Sequence, residues 1–188
     1  MFSIVIRKIY SFLVDTVQTL LLAAAVFLII YAFLFRPFEV NGESMFPNFH
    51  NKEYILTNII TLHFSNPKLG DVIVFKAPND PEKDYIKRVI GVAGDRIIIK
   101  DADVYLNGVK LSESAYLEES VKTYAGSFLR DQQEITVPQD QYFVLGDNRS
   151  NSSDSREWGF VSVKSIIGKS FFAYWPPKDV GIVKNPYR

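Results

Sequence analysis

Two hydrophobic rhythms divide the chain. Residues 16–35, TVQTLLLAAAVFLIIYAFLF, are almost continuously apolar and carry no formal charge, whereas beyond Pro37 the apolar residues fall into short runs punctuated by turn formers. A helix rises about 1.5 Å per residue, so twenty positions reach roughly 30 Å, the hydrocarbon thickness of a bilayer. Twelve of the twenty are Val, Leu, Ile or Phe. At about −0.3 to −0.6 kcal/mol each they favour insertion by roughly 4 to 7 kcal/mol, before Thr16, Gln18 and Thr19 are discounted. A cleaved secretory signal and a buried core helix compete with this reading. Ala23, Ala24 and Ala25 imitate a small-residue cleavage site, but apolar residues continue for ten positions beyond them, past the roughly 7 to 15 of a signal's apolar core. The pattern predicts a tail at 1–15 and a retained transmembrane helix at 16–35.

The later runs read as strands: EYILTNIITL (53–62), GDVIVFKAP (70–78), DYIKRVIGV (84–92), DRIIIK (95–100), EITVP (134–138), QYFVLGD (141–147) and SIIGKSFFAYW (165–175). They are rich in β-branched and aromatic residues and bounded by Gly, Pro, Asn and Asp, so the fold class is mostly β, one extracytoplasmic domain over 36–188. Asn107-Gly108 between the arms of DVYLNGVKL predicts a hairpin. Residues 112–133 are polar with little periodicity and read as an exposed loop; with the hairpin they predict a small inserted subdomain over about 99–136.

Charge adds orientation. Arg7 and Lys8 precede the span and only Arg36 follows it closely, so the positive-inside rule puts the N-terminus in the cytoplasm and the β-rich part outside. Lys+Arg and Asp+Glu both number 21, which supplies no basic excess for nucleic acid. The absence of cysteine excludes a disulfide framework, a zinc-thiolate site and a cysteine nucleophile. Two histidines, His50 and His63, are too few for a histidine-rich metal enzyme.

The candidate chemistry starts at NGESMFPNFHN (41–51), where Ser44 stands in a stretch with Gly42 before it and Pro47 after it. A serine hydroxyl is a weak nucleophile and needs a proton acceptor and oxyanion donors. Nothing in the sequence couples His50 or His63 to an acidic partner as a Ser-His-Asp arrangement needs. A desolvated, neutral lysine is the other solution. Strand alternation in DYIKRVIGV puts Tyr85, Lys87 and Val89 on one face, although a lysine at a strand edge with its head in water is the plainer reading of Lys87. GDNRSNSSDSREWG (146–159) reads as a solvated turn-rich loop, or as one pinned by Asp147, Arg149, Asp154 and Arg156 with serines free to orient an amine.

In this order, and after an N-terminal anchor, GESMFP, YIKRVIGVAGD and GDNRSNSSDSREWG resemble the boxes of type I signal peptidases, in the compact single-span Gram-positive-like form. The resemblance implies a Ser-Lys endopeptidase that removes signal peptides from secretory pre-proteins at the bacterial plasma membrane. Ser44 would be nucleophile and Lys87 general base, with Ser152 orienting the amine and Arg88 beside the base. Asp147, Arg149, Asp154 and Arg156 would support the site, Met45 would pack near it, and the Ser44 backbone N–H would serve the oxyanion. No cofactor or metal is implied; the partners would be signal peptides and the lipid bilayer. The chain departs from the pattern at Gly42, where some relatives carry a serine, at Asn48-Phe49 and at Ala93.

Overall fold

The computed structural model describes residues 2–188, with the side chains at 2–4, 30, 32, 33 and 63 outside the described residues; His63, weighed above as a base, falls in that set. Two compact units divide it, 1–36 and 37–188.

The first unit is essentially helix α1, Phe2–Leu34. Residues 2–15 contain neither Gly nor Pro, so nothing stops the helix at the predicted start. The helix therefore runs on from the predicted span through the predicted tail as far back as Phe2. Val5–Ile29 is long and apolar enough to cross a membrane, and none of it is buried, which disfavours the core-helix reading. The Thr16 and Thr19 hydroxyls donate to the carbonyls of Phe12 and Asp15 at 2.7 and 2.8 Å, so these polar groups are satisfied within the helix. The helix stops one residue before the predicted end, because Pro37 disfavours a helical residue ahead of it.

Beyond α1 the elements are β1 (Phe35–Glu39), which begins in the first unit, and then β2 (Tyr54–Asn58), the short helix α2 (Thr61–Phe64), β3 (Val72–Ala77), β4 (Asp80–Gly91), β5 (Arg96–Lys100) and β6 (Asp103–Leu106) in the second. Then follow β7 (Val109–Lys110), β8 (Glu134–Thr136), β9 (Gln141–Leu145), α3 (Ser155–Trp158), β10 (Val161–Ser162), β11 (Ile166–Trp175) and β12 (Gly181–Ile182). One sheet runs β1-β2-β11-β3-β4-β9-β10, with β12 alongside β11; a second runs β7-β6-β5-β8. The predicted strand over 53–62 ends at Asn58, whose side chain accepts the Thr61 N–H at 2.9 Å and starts the α2 turn instead. The hairpin forms as predicted, with Asn107 at φ 54° and Gly108 at φ 84°, the left-handed pair that a two-residue turn requires.

The second sheet is the inserted subdomain, and it begins at Arg96, three residues before the expected boundary. Residues 112–133 are not merely an exposed loop: Tyr116, Leu117, Thr123 and Leu129 are buried. They lack a strand's period because they are held by individual hydrogen bonds, such as Thr123 N–H to Ala102 O and both the Phe128 and Leu129 N–H to Arg156 O. Leu129 joins Ile90, Ile97, Ile99, Val104, Val137, Phe143 and Leu145 in the core between the sheets. Phe143→Ala should cost about 3 to 5 kcal/mol, whereas exposed Val109→Ala should stay within about 0.5 kcal/mol. Urea unfolding midpoints of the two variants test the contrast.

Candidate active site

Strand β4 carries the lysine into the middle of the large sheet. Lys87 pairs with Ile73 of β3, and its neighbour Arg88 pairs with Leu145, the last residue of β9. At Gly146 the chain leaves the sheet, so on that side Lys87 faces a gap. The loop at 40–53 fills it.

That loop is closed by backbone bonds between Val40 and Glu53 (2.7 Å) and between Lys52 and Val40 (2.8 Å). Met45 and Phe49 anchor it in a core with Val40, Ile55, Val72, Val74 and Ala173. Met45, next to Ser44 in the chain, is fully buried there. Gly42 has φ +97° with open space around a Cβ, so the position favours glycine for backbone conformation and a serine there would be strained. Its N–H donates to Asn51 Oδ1 at 2.9 Å.

With the loop in place, Lys87 Nζ lies 2.7 Å from Ser44 Oγ and donates to Ile86 O at 2.9 Å. Ser44 is half-buried and Lys87 is 4% exposed; the strand-edge reading is corrected, because β4 lies between β3 and β9. Burial pushes the Lys87 amine down to about 8, against the opposing pull of the Asp154 and Asp147 charges. At pH 7 about one lysine in ten is then neutral, rather than about one in 2,500 at the ordinary value.

The segment 146–159 is an ordered polar core. Asp147, Arg149, Asp154, Ser155 and Arg156 are all buried. Asp154 pairs with Arg156 at 2.7 Å, as expected for a loop pinned from within. The other two charges reach outward: Asp147 takes Arg88 in a two-pronged pair at 2.8 and 2.6 Å, and Arg149 pairs with Glu113. Arg88 therefore stands next to Lys87 in sequence but turns to Asp147, and its guanidinium lies 4.3 Å from the Tyr116 ring centroid. Burial opposes the Arg88 charge, but the Asp147 hydrogen bonds together with the charges of Asp147, Tyr116 and Tyr187 outweigh it, so its pKa rises.

This core grips the Ser44 loop directly. Asn148 N–H donates to Ser44 O at 3.0 Å, the Asn148 amide to Glu43 O at 3.1 Å, and the Asn48 amide to Asp147 Oδ2 at 2.9 Å. A Cβ on Gly146 would stand 2.4 Å from Ser44 O and 2.1 Å from Ser152 Oγ, so only glycine allows this approach. Ser152 is close to Ser44 in this packing, yet its buried Oγ makes no hydrogen bond; the bonds that orient the amine run to Ser44 and Ile86. His50, read as uncoupled from acids, lies 3.7 Å from Glu53 and 3.9 Å from Asp179, which correct that expectation.

Comparison with known proteins gives the family. The family described as "Signal peptidase, peptidase S26" matches residues 13–175. The chain belongs to that family. It is 36% identical over 173 residues to a signal peptidase I of Bacillus amyloliquefaciens, covering 90% of this chain and 92% of the relative. It is 32% identical over 185 residues to signal peptidase IB of Staphylococcus aureus, strain MRSA252, covering 93% and 95%. A crystal structure of a signal peptidase I from Enterococcus faecalis V583 is 32% identical, covers 56% of this chain and 97% of that one, and gives a TM-score of 0.46.

Sequence reasoning missed Gly146, Asn48 as a bridge to Asp147, and Glu113 with Thr123 as partners of Arg149. The Gly-Asp-Asn-Arg stretch could have flagged Gly146; Glu113 carries no local signal.

The buried lysine has a stability signature. Between about pH 8 and the ordinary value of 10.5 the unfolded chain binds the Lys87 proton and the folded chain does not, so stability rises with pH through that window. Lys87→Met removes the penalty and should stabilise by about 3 kcal/mol at pH 7. The gain should fade as pH rises from 8 toward 10.5, which thermal melts across that range would measure.

Proposed function

We propose that the protein is a membrane-anchored serine endopeptidase that removes N-terminal signal peptides from exported pre-proteins. Ser44 is the nucleophile and neutral Lys87 the general base. The observation that carries this reading is the 2.7 Å contact between Ser44 Oγ and a buried amine pushed down to about 8. Membership of the signal peptidase family supports the peptidase chemistry and the substrate class.

When the amine is neutral, its lone pair accepts the Ser44 proton as Oγ attacks the scissile carbonyl. The carbonyl π electrons move to oxygen, and the Ser44 N–H, which donates to no acceptor among the described residues, stabilises that charge. As the tetrahedral adduct collapses, the C–N bond breaks and Lys87 returns its proton to the leaving amine. The mature chain leaves as that amine; Lys87 then takes a proton from water, whose oxygen attacks the acyl-enzyme carbonyl, the Ser44 Oγ–C bond breaks as the second adduct collapses, and Lys87 returns the proton to Oγ, which frees the signal peptide. Arg88–Asp147 and Arg156–Asp154 hold the walls without touching the reacting atoms. Ser152, with an uncommitted hydroxyl, is available to the amine once Ser44 is acylated.

The substrate enters an open cleft of about 630 Å³ walled by residues 37–41 on one side and by Asp84, Tyr85 and Ile86 of β4 on the other, with Ser44 and Lys87 lining it. A chain bound there in extended form pairs with strand backbone and offers alternate side chains to the walls, with shallow places for Ala-like residues. The Val5–Ile29 stretch supports anchorage, with the N-terminus cytoplasmic and the catalytic unit outside.

Cleavage of a purified pre-protein in detergent-lipid micelles, with sequencing of the new N-terminus, tests the reading. Wild type should cut after an Ala-x-Ala-like site; Ser44→Ala and Lys87→Ala should each lose about 10⁴-fold or more. Lys87→Arg should be as inactive, because guanidinium stays charged. The wild-type rate should climb with pH through about 8, as the neutral amine accumulates. Cutting that survives Ser44→Ala would sink the proposal.

A further inference from the structure

Away from the Ser-Lys pair, three ligand-type side chains converge where the Ser44 loop closes. His50 and Glu53 stand at the end of that loop, and Asp179 comes from the 3₁₀ turn Pro177–Asp179 in the C-terminal segment. His50 Nδ1, Glu53 Oε2 and Asp179 Oδ2 lie within 4.8 Å of one another, the one such cluster among the described residues. Two of these atoms, His50 Nδ1 and Asp179 Oδ2, are fully buried with no hydrogen-bond partner. Buried polar atoms in native proteins are nearly always satisfied, so an unpaired imidazole nitrogen facing an unpaired carboxylate oxygen signals a missing partner.

The geometry limits what that partner is. With sides of 3.7 Å, 3.9 Å and no more than 4.8 Å, the three atoms share a centre about 2.0 to 2.5 Å from each, at or a few tenths beyond the bond lengths of zinc to imidazole and carboxylate. A water would sit off the plane of the three atoms, near 2.8 Å from each, and metal titration separates the two occupants. An imidazole nitrogen beside two carboxylate oxygens suits a divalent transition metal of the zinc kind and disfavours calcium or magnesium, which take oxygen alone. Two carboxylates would neutralise its charge. The His50 backbone N–H donates to Glu53 Oε2 at 2.8 Å, orienting that oxygen as supporting hydrogen bonds do around metal ligands. Glu53 and Asp179 also line a cleft of about 460 Å³, which leaves room for water as a further ligand. The nearest competing cation is Lys178, 3.9 Å from Asp179 Oδ2 but 76% exposed; Arg88 and Arg188 line the same cleft and are engaged by Asp147 and Asp71.

We propose that His50 Nδ1, Glu53 Oε2 and Asp179 Oδ2 bind one zinc-type divalent ion, which ties the C-terminal segment to the foot of the loop carrying Ser44. The ion takes no part in peptide-bond cleavage; it is a structural clasp. Its ligands come from two segments more than a hundred residues apart in the chain, so binding stabilises the folded state over the unfolded one.

The test uses the full untagged chain in detergent micelles, stripped with a chelator and titrated with Zn²⁺ against a chromogenic chelator. One ion per chain should bind. His50→Ala and Asp179→Asn should each weaken binding at least tenfold, while His63→Ala and Asp131→Asn should leave it unchanged. The second of these controls removes the same charge without touching the cluster. At a free Zn²⁺ concentration about 100 times Kd the melting midpoint should rise by about 5 to 11 °C, and the rise should vanish in the two ligand variants. Circular dichroism checks that those variants fold. Co²⁺ should give visible absorption bands that disappear with His50→Ala. No stoichiometric binding, or binding and a melting shift that persist in both His50→Ala and Asp179→Asn, would overturn the proposal.

Discussion

An amine held out of water beside a serine hydroxyl is the constraint around which the β unit is organised. A protonated lysine in apolar surroundings is costly, and the protein uses that cost: it lowers the Lys87 pKa until a useful fraction of the amine is neutral. Two features keep the water away. Strand β4 lies inside the sheet, and the Ser44 loop is pulled over the amine by Met45 and Phe49, both buried in its own core. The acids nearest in effect, Asp147 and Asp154, would restore the lysine charge if left free; each is instead paired with an arginine. Those pairs therefore do more than brace a loop. They absorb negative charge that would otherwise hold the proton on Lys87.

Three buried arginines make this arrangement possible, and each answers a different structural need. Arg88 joins β4 to the 146–159 segment and to Gly70 O, Arg149 draws in Glu113 and Thr123, and Arg156 caps backbone carbonyls of Tyr124, Arg149 and Ser152. A planar, permanently charged fork suits this work, because it satisfies several oxygens at once. Buried ion pairs contribute little net stability against apolar packing of equal volume, but removing one partner is severe. Such a network specifies one arrangement of the loops rather than deepening the fold. That is the requirement when a hydroxyl must sit 2.7 Å from an amine.

The 112–133 segment is where sequence reading fell short. Its polar residues and missing period suggested solvent, yet Thr123 and Leu129 are buried and Glu113 closes the Arg149 pair. Periodicity reports segments whose side chains alternate between core and water; this one is held by scattered hydrogen bonds to a polar core and has no alternation to display. The start of α1 was missed for a related reason. The apolar window marked the stretch that a bilayer favours, while the helix itself continues to Phe2, since backbone hydrogen bonding does not stop where hydropathy falls.

By itself the sequence determined what depends on neighbours along the chain. The apolar helix, the strands that follow Val, Ile and aromatic runs, the Asn107-Gly108 turn and the identity of the candidate nucleophile and base all rest on local pattern or on motif. The tertiary structure decided which groups meet. Ser44 and Lys87 stand 43 residues apart in sequence, and only the ending of β9 at Leu145 and the fit of Gly146 against Ser44 O bring the loop onto the lysine. It also decided which acid each arginine takes, and that His50 joins Glu53 and Asp179. Desolvation and ion pairing depend on distances between segments remote in the chain, and a local pattern carries no record of them.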